Sequence, residues 1–511
     1  MKLERTKNSL RNIAWGIINR FITLLFPFVL RTILIQTLGA EYLGLNSLFT
    51  SILSVLNLAE LGFSSAIVFS MYKPIAQNDN KMICALMAYY RKVYSVIGLV
   101  ITGLGLIILP FLPQLIKGSH PSNINLYSLY LLFLINTTIS YFLFAYKLSI
   151  LTAHQREDIL SKVEIGIRAI CYTLQAIVLL RLKNYYLYIL LNIVYTIIYN
   201  ITSAIWSNKL YPQYKCIGLL DAESKRLMRK NIGGLMIGKL CMVSRNSFDS
   251  IFISAFLGLQ IVAIYGNYYY IMNAIIALLT ICMTSISAGI GNSVATETVE
   301  KNYRDMNKIA FIYSWIAGWC TVCLCCLYQP FMKLWMGDDM LFPMSNVCLI
   351  CVYFYTLSMG DVRSKYANAA GLYWESRNYV LAEAVVNIIL NYILGKIAGV
   401  QGIIIATILT IVFINFVWGT RVVFNFYFIN YKFTEYIYKH CFYFIIILFG
   451  IIVTYSITNL IGDRGINTLV VKAIICIIVP NIIFYLSYCR CSIFKDAKGM
   501  VDNILKVNAK C

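Results

Sequence analysis

The stretch IIIATILTIVFINFVWGT at residues 403–420 contains no charged residue, and most of its side chains are aliphatic or aromatic. A run of about 20 apolar residues is what an α-helix needs to cross the hydrocarbon core of a bilayer. Strands of a membrane barrel would instead alternate apolar and polar residues over segments of about ten residues. The stretch therefore predicts a transmembrane helix.

The same pattern recurs along the whole 511-residue chain, which is 60% hydrophobic and only 13% charged, with a mean hydropathy of +0.73. Soluble domains carry about 25% charged residues. The composition excludes a soluble enzyme, a disordered chain and a nucleic-acid-binding protein. About fourteen apolar segments are predicted to span a membrane, at residues 12–37, 42–72, 86–112, 126–144, 159–180, 185–206, 233–257, 262–290, 309–327, 347–366, 379–397, 403–424, 436–460 and 468–488.

Lysine and arginine are distributed unevenly between the predicted loops. With the N-terminus in the cytoplasm, about 31 basic residues lie on the cytoplasmic side and about seven on the other side, which is a strong positive-inside signal. The basic tail at residues 491–511 then also lies in the cytoplasm. A net charge of +21 suits a membrane protein that faces an anionic inner leaflet.

A basic linker at residues 208–230 divides the chain. We predict a first lobe of six spans at residues 1–207, a second lobe at 231–428 and two further spans at 429–490. LGAEYLGL at residues 38–45 resembles LGLQIVAI at residues 257–264, which lies 219 residues later. This repeat predicts two related lobes that rock about a central substrate site, as in transporters built from parallel repeats.

We single out five of the basic residues inside predicted spans, because each costs about 2.5–3.5 kcal/mol at the centre of a membrane helix. They are expected to face the protein interior or a watery cavity, and they are Arg20, Arg31, Arg168, Lys239 and Arg245. Arg20 and Arg31 are eleven residues apart and share one helix face. Two interpretations remain open: the pair snorkels to opposite interfaces, or it lines a cavity for an anionic substrate.

Two of these cations have an acid four residues away on the same helix face. Glu164 precedes Arg168, and Asp249 follows Arg245, so both pairs are predicted to form ion pairs. Asp249 is alternatively a site for a coupling cation. The candidates for ion coupling are the predicted membrane acids Asp249, Glu60 and Glu383.

Catalytic and metal-binding patterns are missing from the sequence. The 16 cysteines fall mainly in apolar runs, where cysteine packs as a small hydrophobic residue. We expect no metal, no disulfide framework and no resident cofactor. The sequence has neither a GxSxG motif nor a phosphate-binding loop, so we expect neither an enzyme nor a transporter that hydrolyses ATP by itself.

Several stretches taken together resemble a known family of membrane transporters. They are LGAEYLGLNSLF at residues 38–49, AELGFSSA at 59–66, DSIFI at 249–253 and AAGLYWE at 369–375. The chain resembles the Wzx-type polysaccharide repeat-unit flippases, which belong to the multidrug/oligosaccharidyl-lipid/polysaccharide (MOP) exporter superfamily. The resemblance covers nearly the whole chain, although no single motif is diagnostic.

The resemblance implies an all-α membrane protein with the MATE-like fold, two six-helix lobes and two C-terminal helices. It implies alternating access for an undecaprenyl-diphosphate-linked oligosaccharide that moves from the cytoplasmic to the outer leaflet. Arg20, Arg31 and Lys239 would then bind the diphosphate, with Arg168 and Arg245 as further candidates. Coupling to H⁺ or Na⁺ is expected, as is association with membrane lipids, a polysaccharide polymerase and glycosyltransferases.

Three alternatives remain open at this point. The chain could be a lipid II flippase, a multidrug/cation antiporter of the same superfamily, or a membrane scaffold that transports nothing. The location expected in every case is the cytoplasmic membrane of a bacterium, with both termini in the cytoplasm. The polymer served by a repeat-unit flippase would be capsule, exopolysaccharide or O-antigen.

Overall fold

The computed structural model describes residues 5–60, 62–118, 120–223, 225–226, 243, 245, 247–462 and 465–508. All regular secondary structure in these ranges is helical, which confirms the predicted all-α class. Ten helices in the described part of the chain are long and apolar enough to cross a membrane, or eleven if one bent pair counts as a span. The total of fourteen spans stays a prediction.

The chain forms two compact units, Met1–Ala263 and Ile264–Cys511. The predicted borders of the lobes differ from this division and stay a prediction. Part of the predicted linker, and the beginning of the predicted second lobe at residues 231–242, lie outside the described residues.

The described residues of the first unit form nine complete α-helices and the beginning of a tenth. The nine are α1 (Arg5–Thr37), α2 (Ala40–Leu56), α3 (Phe63–Gln77), α4 (Asn80–Ile108), α5 (Leu126–Phe142), α6 (Ala145–Ala153), α7 (Glu157–Ile177), α8 (Tyr185–Leu210) and α9 (Ser247–Leu257). Helix α1 packs along α7, and α7 in turn packs along α8. This three-helix layer carries three of the predicted membrane cations, Arg20, Arg31 and Arg168.

Two of the predicted spans in the first unit are interrupted. The second consists of α2, a 3₁₀ turn at Asn57–Glu60 and α3, and α3 begins after Gly62, whose φ of 91° favours glycine. The fourth, predicted at residues 126–144, contains α5 and ends at a bend of 56°, beyond which α6 continues. Interrupted helices at membrane depth leave backbone groups that only buried protein or water can satisfy.

The second unit contains most of α10 (Leu259–Thr296) and the remaining helices. They are α11 (Val299–Met336), α12 (Met344–Met359), α13 (Asp361–Ala369), α14 (Tyr373–Leu409), α15 (Gly419–Phe426), α16 (Phe433–Asn459), α17 (Ile466–Tyr488) and α18 (Ser492–Asn508). Helix α11 lies at its centre and packs against α12, α16, α17 and α18. Helix α14 kinks at Gly399, where φ is 58°, between predicted spans eleven and twelve. A π-helical turn at Thr410–Trp418 connects α14 to α15.

The predicted repeat has a local counterpart in the backbone. Gly39 and Gly258 occupy equivalent positions of the two similar stretches, and they have φ values of 108° and 94°. Each glycine directly precedes a helix, α2 in one case and α10 in the other. Both positions need a backbone conformation that residues other than glycine rarely adopt. In both stretches, therefore, a glycine with positive φ precedes the first residue of a helix.

Candidate functional site

Helix α1 presents two different faces. Four exposed apolar side chains lie on one face, namely Ile18, Phe21, Leu25 and Val29. Arg20 and Arg31 lie roughly 140° away around the helix, given 3.6 residues per turn. Arg20 is exposed and Arg31 is half-buried, close enough to Tyr188 of α8 to interact with it electrostatically. The predicted shared face is therefore present, and it points away from the apolar face of α1.

Arg168 of α7 forms the ion pair that its spacing from Glu164 predicts. Its Nε lies 2.8 Å from Oε1 of Glu164, and the two side chains are 29% and 21% exposed. Asn19 of α1 donates a hydrogen bond of 2.9 Å to the second oxygen of the same carboxylate. Glu164 thus connects Arg168 of α7 to Asn19 of α1.

Aromatic side chains complete the surroundings of Arg168. Its Nη1 donates a hydrogen bond of 3.0 Å to the hydroxyl of Tyr172, and the guanidinium lies 4.4 Å from the ring centre of Tyr195. Tyr195 also donates to Glu164 at 3.3 Å. Arg168 is therefore held in place by its pair and two rings, whereas Arg20 is exposed.

Glu60 lies at the interruption between α2 and α3. Tyr94 of α4 donates a hydrogen bond of 2.5 Å to one carboxylate oxygen, and Tyr141 of α5 lies 3.2 Å from the other. The hydroxyl of Tyr141 also lies 3.2 Å from Oδ1 of Asn57. The interruption thus places an acid among tyrosine hydroxyls of two neighbouring helices.

The remaining predicted site residues of the first unit lie at or before α9. Arg245 is 8% exposed and Asp249 is 1% exposed, and each has interactions within the protein. Their predicted pairing stays a prediction. Lys239 lies outside the described residues, so its predicted equivalence to Arg20 stays a prediction as well.

Glu383 of the second unit is completely buried in α14. It accepts a hydrogen bond of 2.8 Å from Nδ2 of Asn415, which belongs to the π-helical turn. The other side of Asn415 holds a buried cation: Arg363 donates to its carbonyl oxygen at 2.6 Å and to its Oδ1 at 3.2 Å. Asn415 therefore connects a buried acid to a buried guanidinium.

Further polar side chains follow Glu383 along α14 at intervals of four residues. Asn387 donates hydrogen bonds to the hydroxyls of Thr407 at 3.1 Å and Thr410 at 3.4 Å. Asn391 donates to Oδ1 of Asn387 at 3.4 Å. Both asparagines are fully buried, so this helix face forms a polar row inside an otherwise apolar element.

Sequence reasoning missed Arg363, although the residue lies inside the predicted tenth span. Its neighbours Asp361, Ser364 and Lys365 are hydrophilic and indicate the end of a span. Two features of the fold allow Arg363 to be buried. The π-helical turn provides a backbone carbonyl oxygen as hydrogen-bond acceptor, and Gly419 has no side chain that would occupy the space of the guanidinium. A Cβ at Gly419 would contact Nη1 of Arg363. The signal that could have found Arg363 is the presence of an arginine inside a segment that was itself predicted to span the membrane.

The beginning of α7 carries a second charged cluster that the sequence did not reveal. Asp158 is completely buried, and its carboxylate lies 3.0 Å from Arg11, 3.0 Å from Arg156 and 3.5 Å from Lys162. Asn12 of α1 accepts a hydrogen bond of 2.9 Å from the backbone nitrogen of Asp158. The cluster fastens the first part of α1 to α7.

Within the described ranges, no group of three or more histidine, cysteine, aspartate or glutamate side chains is arranged to hold a metal ion. The site residues described above offer charged and hydrogen-bonding groups. The first unit offers one exposed and one half-buried cation on a face of α1, and each unit contains a partly or fully buried acid.

Comparison with known proteins identifies the fold. No protein-family model matches the chain, and no curated protein matches it in sequence. A solved structure of the lipid II flippase MurJ in an inward closed conformation matches with a TM-score of 0.64 at 16% identity, covering 93% of this chain and 98% of that one.

Other solved transporters match over most of their length. An inward-facing multidrug resistance MATE family transporter of the MOP superfamily has a TM-score of 0.61 at 15% identity, covering 79% of this chain and 98% of that one. A MOP superfamily transporter from Pyrococcus furiosus has a TM-score of 0.53 at 15% identity, with coverages of 82% and 96%. The chain therefore has the multi-pass helical fold that MurJ and the MATE transporters of the MOP superfamily share.

Proposed function

We propose that the chain is a flippase that moves undecaprenyl-diphosphate-linked oligosaccharide repeat units from the cytoplasmic to the outer leaflet of a bacterial cytoplasmic membrane. The observation that supports this most is the cationic face of α1, where Arg20 is exposed. A diphosphate is anionic, and the planar guanidinium matches phosphate oxygens in bidentate geometry. The products would serve the synthesis of capsule, exopolysaccharide or O-antigen.

In the proposed mechanism, Arg20 and Arg31 bind the diphosphate while the polyprenyl chain stays in the bilayer. Arg168 assists from α7, where Glu164 and two tyrosines fix its guanidinium. The fold of known transporters supports alternating access as the way in which the head group crosses. The sugars and the diphosphate would then reach the polymerase on the outer surface, after glycosyltransferases have assembled the unit inside.

Ion coupling is part of the proposal, with H⁺ or Na⁺ as the ion. Discontinuous membrane helices supply ion sites in many transporters, and Glu60 lies at such an interruption. Two tyrosine hydroxyls at Glu60 could rearrange when the carboxylate takes up a proton. Glu383 is a weaker candidate because Arg363, connected to it through Asn415, already supplies a positive charge.

The test is the position of the lipid-linked repeat unit in a strain that lacks this gene. We expect it to accumulate on the cytoplasmic leaflet, and we expect the wild-type gene to restore export. Arg20→Glu should fail to restore it, whereas Arg20→Lys should restore part of it because the positive charge remains. Lys73→Glu is the matched control, an exposed basic residue of the first unit outside α1; export by Arg20→Glu equal to this control would refute the proposed role of Arg20.

A lipid II flippase is the first alternative, and the similarity in fold to MurJ favours it. It shares the diphosphate and differs in the sugars that are carried. Depletion of the host's own lipid II flippase distinguishes the two functions. Survival of depleted cells that express this chain would show lipid II transport, and their lysis would favour the repeat unit.

A multidrug/cation antiporter is the second alternative, which the similarity in fold to MATE transporters favours. Efflux of a cationic dye from cells or vesicles would identify it, and the dye should also drive exchange of H⁺ or Na⁺. A scaffold without transport is the third alternative. It predicts that Arg20→Glu leaves both polysaccharide export and dye efflux unchanged.

A further inference from the structure

The first unit has a segment without helical structure that is nevertheless fixed in place. Residues 211–220, which we name the strap, follow α8 and lie across α4. The backbone nitrogen of Lys215 donates to Sγ of Cys84 at 3.3 Å, and the thiol of Cys84 donates to the carbonyl oxygen of Gln213 at 3.7 Å. A single side chain of α4 thereby holds two peptide groups of the strap.

The strap closes one side of a cavity of about 450 Å³ that α4 and α6 complete. Three cations line it, namely Arg91, Lys147 and Lys215, and no carboxylate is among its lining residues. Lys147 donates a hydrogen bond of 2.9 Å to Asn208, and the guanidinium of Arg91 lies 5.9 Å from the ring centre of Tyr146. The cavity thus concentrates positive charge that no acid in its wall offsets.

Two aromatic residues beside the cavity indicate its depth relative to a membrane. Trp206 is 40% exposed and has Nζ of Lys209 5.4 Å from its ring centre. Phe144 is 39% exposed and has Nζ of Lys147 at the same distance. Tryptophan is enriched at the membrane–water interface, and lysine side chains there lie along apolar surface while the ammonium reaches the head groups. This pattern favours a position of the cavity at head-group level, on the side predicted to face the cytoplasm.

We propose that this cavity binds the phosphate head group of an anionic phospholipid from the cytoplasmic leaflet. Lysine and arginine are the side chains that bind phosphate best, and basic residues near this leaflet attract anionic lipids. The lipid is a bound component of the protein and not its cargo, so the inference goes beyond the proposed transport. The depth of the cavity favours a lipid as the source of the phosphate over a soluble anion.

Native mass spectrometry of the purified full chain tests this proposal. Dioleoylphosphatidylglycerol and dioleoylphosphatidylcholine are titrated separately, and we expect one saturable site that prefers the anionic lipid at least fivefold. The triple variant Arg91→Gln, Lys147→Gln and Lys215→Gln should lose this preference. The matched control, Lys73→Gln with Lys81→Gln and Lys92→Gln, removes the same charge from exposed positions outside the cavity and should keep it.

Two further sets of variants complete the test. The charge-preserving variant Arg91→Lys, Lys147→Arg and Lys215→Arg should bind the anionic lipid within about twofold of the wild type, since the charge is unchanged. If the triple glutamine variant does not fold, the single variant Lys215→Gln, at an exposed position of the strap, takes its place. An unchanged preference in the glutamine variants would overturn the proposal. Binding of inorganic phosphate with no preference between the two lipids would assign the cavity to a soluble anion and also overturn it.

Discussion

At the scale of single residues, the membrane cations of this chain differ in how their charge is balanced. Arg168 has Glu164 at 2.8 Å and two tyrosines around it. Arg363 is connected to Glu383 through Asn415. Arg20 is exposed on the side of α1 opposite to the apolar face. Of these three cations Arg20 is the most exposed, which is the reason for the ligand-binding role that we propose for it.

Glu164→Gln should destabilise the first unit by about 1.5 kcal/mol, since a hydrogen bond to a charged group contributes about that much. The amide would keep a contact with Asn19 and lose the charge that holds Arg168. The unfolding midpoint of the purified protein in detergent measures the effect. Glu297→Gln is the control, because its pair with Lys301 is exposed and should contribute below about 0.5 kcal/mol; equal losses in both variants would contradict the assignment.

Gly419→Ala should destabilise the second unit by about 2 kcal/mol, because the added Cβ would contact Nη1 of Arg363 and overpacking costs that much. The guanidinium would have to leave the carbonyl of Asn415. Gly289→Ala provides the comparison, since nothing lies within 4 Å of the position of its Cβ. That variant should be neutral or slightly stabilised, as alanine is the better helix former.

At the scale of secondary-structure elements, Asp158 fastens the beginning of α1 to α7. Asp158→Asn would remove the charge that balances Arg11, Arg156 and Lys162. We expect a loss of about 2 kcal/mol, below the range for a fully buried pair because the three cations are partly exposed. Urea-dependent cleavage by trypsin near Arg11 would report the release of α1. Asp338→Asn, whose pair with Lys333 is exposed, should leave the cleavage pattern unchanged.

The packing of His154 against the strap predicts that the stability of the protein depends on pH. His154 follows α6, just outside the predicted span, and stacks on Tyr211 and Tyr214 at 4.1 and 5.6 Å. Burial lowers the pKa of His154 from 6.5 to about 4. Since the unfolded chain then binds a proton more readily, stability is fully present above about pH 6.5 and falls as the pH drops towards 4.

Thermal unfolding between pH 7.5 and 4.5 measures this dependence. His154→Gln should flatten the decline because the titrating group is gone. His120→Gln, at an exposed position, should keep the decline of the wild type. A decline of equal steepness in His154→Gln would show that other groups cause it.

At the scale of the whole molecule, the positive-inside pattern predicts sidedness. Green fluorescent protein fused to the C-terminus should fluoresce, because it folds only on the cytoplasmic side. Alkaline phosphatase fused after Lys117 should be active outside, and the same enzyme fused after Lys73 should be inactive. The opposite result at both positions would reverse the orientation, and with it the leaflet assigned to the cavity lined by Arg91, Lys147 and Lys215.

The sequence predicted the helical class, the positions of the long spans and the pair of Arg168 with Glu164. Each of these depends on local regularities, namely the length of apolar runs and the spacing of four residues along a helix. The placement of Arg20 and Arg31 on one helix face depends on the same regularity, because eleven residues are close to three turns, whereas their exposure was not predicted. The similarity in fold to MurJ and a MATE family transporter agrees with the MATE-like fold that the resemblance implies, and the Wzx-type specificity stays a prediction.

Three groups of residues became visible only in the tertiary structure. Arg363 lies near Asn415 and Glu383, and Asp158 is enclosed by three cations. The strap lines a cationic cavity. These groups are brought together from distant parts of the chain. Their neighbours are decided by how helices pack and where they are interrupted, at Gly62 or in the π-helical turn at Thr410–Trp418. Apolar periodicity specifies which residues enter the membrane, but it does not specify which helix lies beside which, because lipid and neighbouring helices are equally apolar.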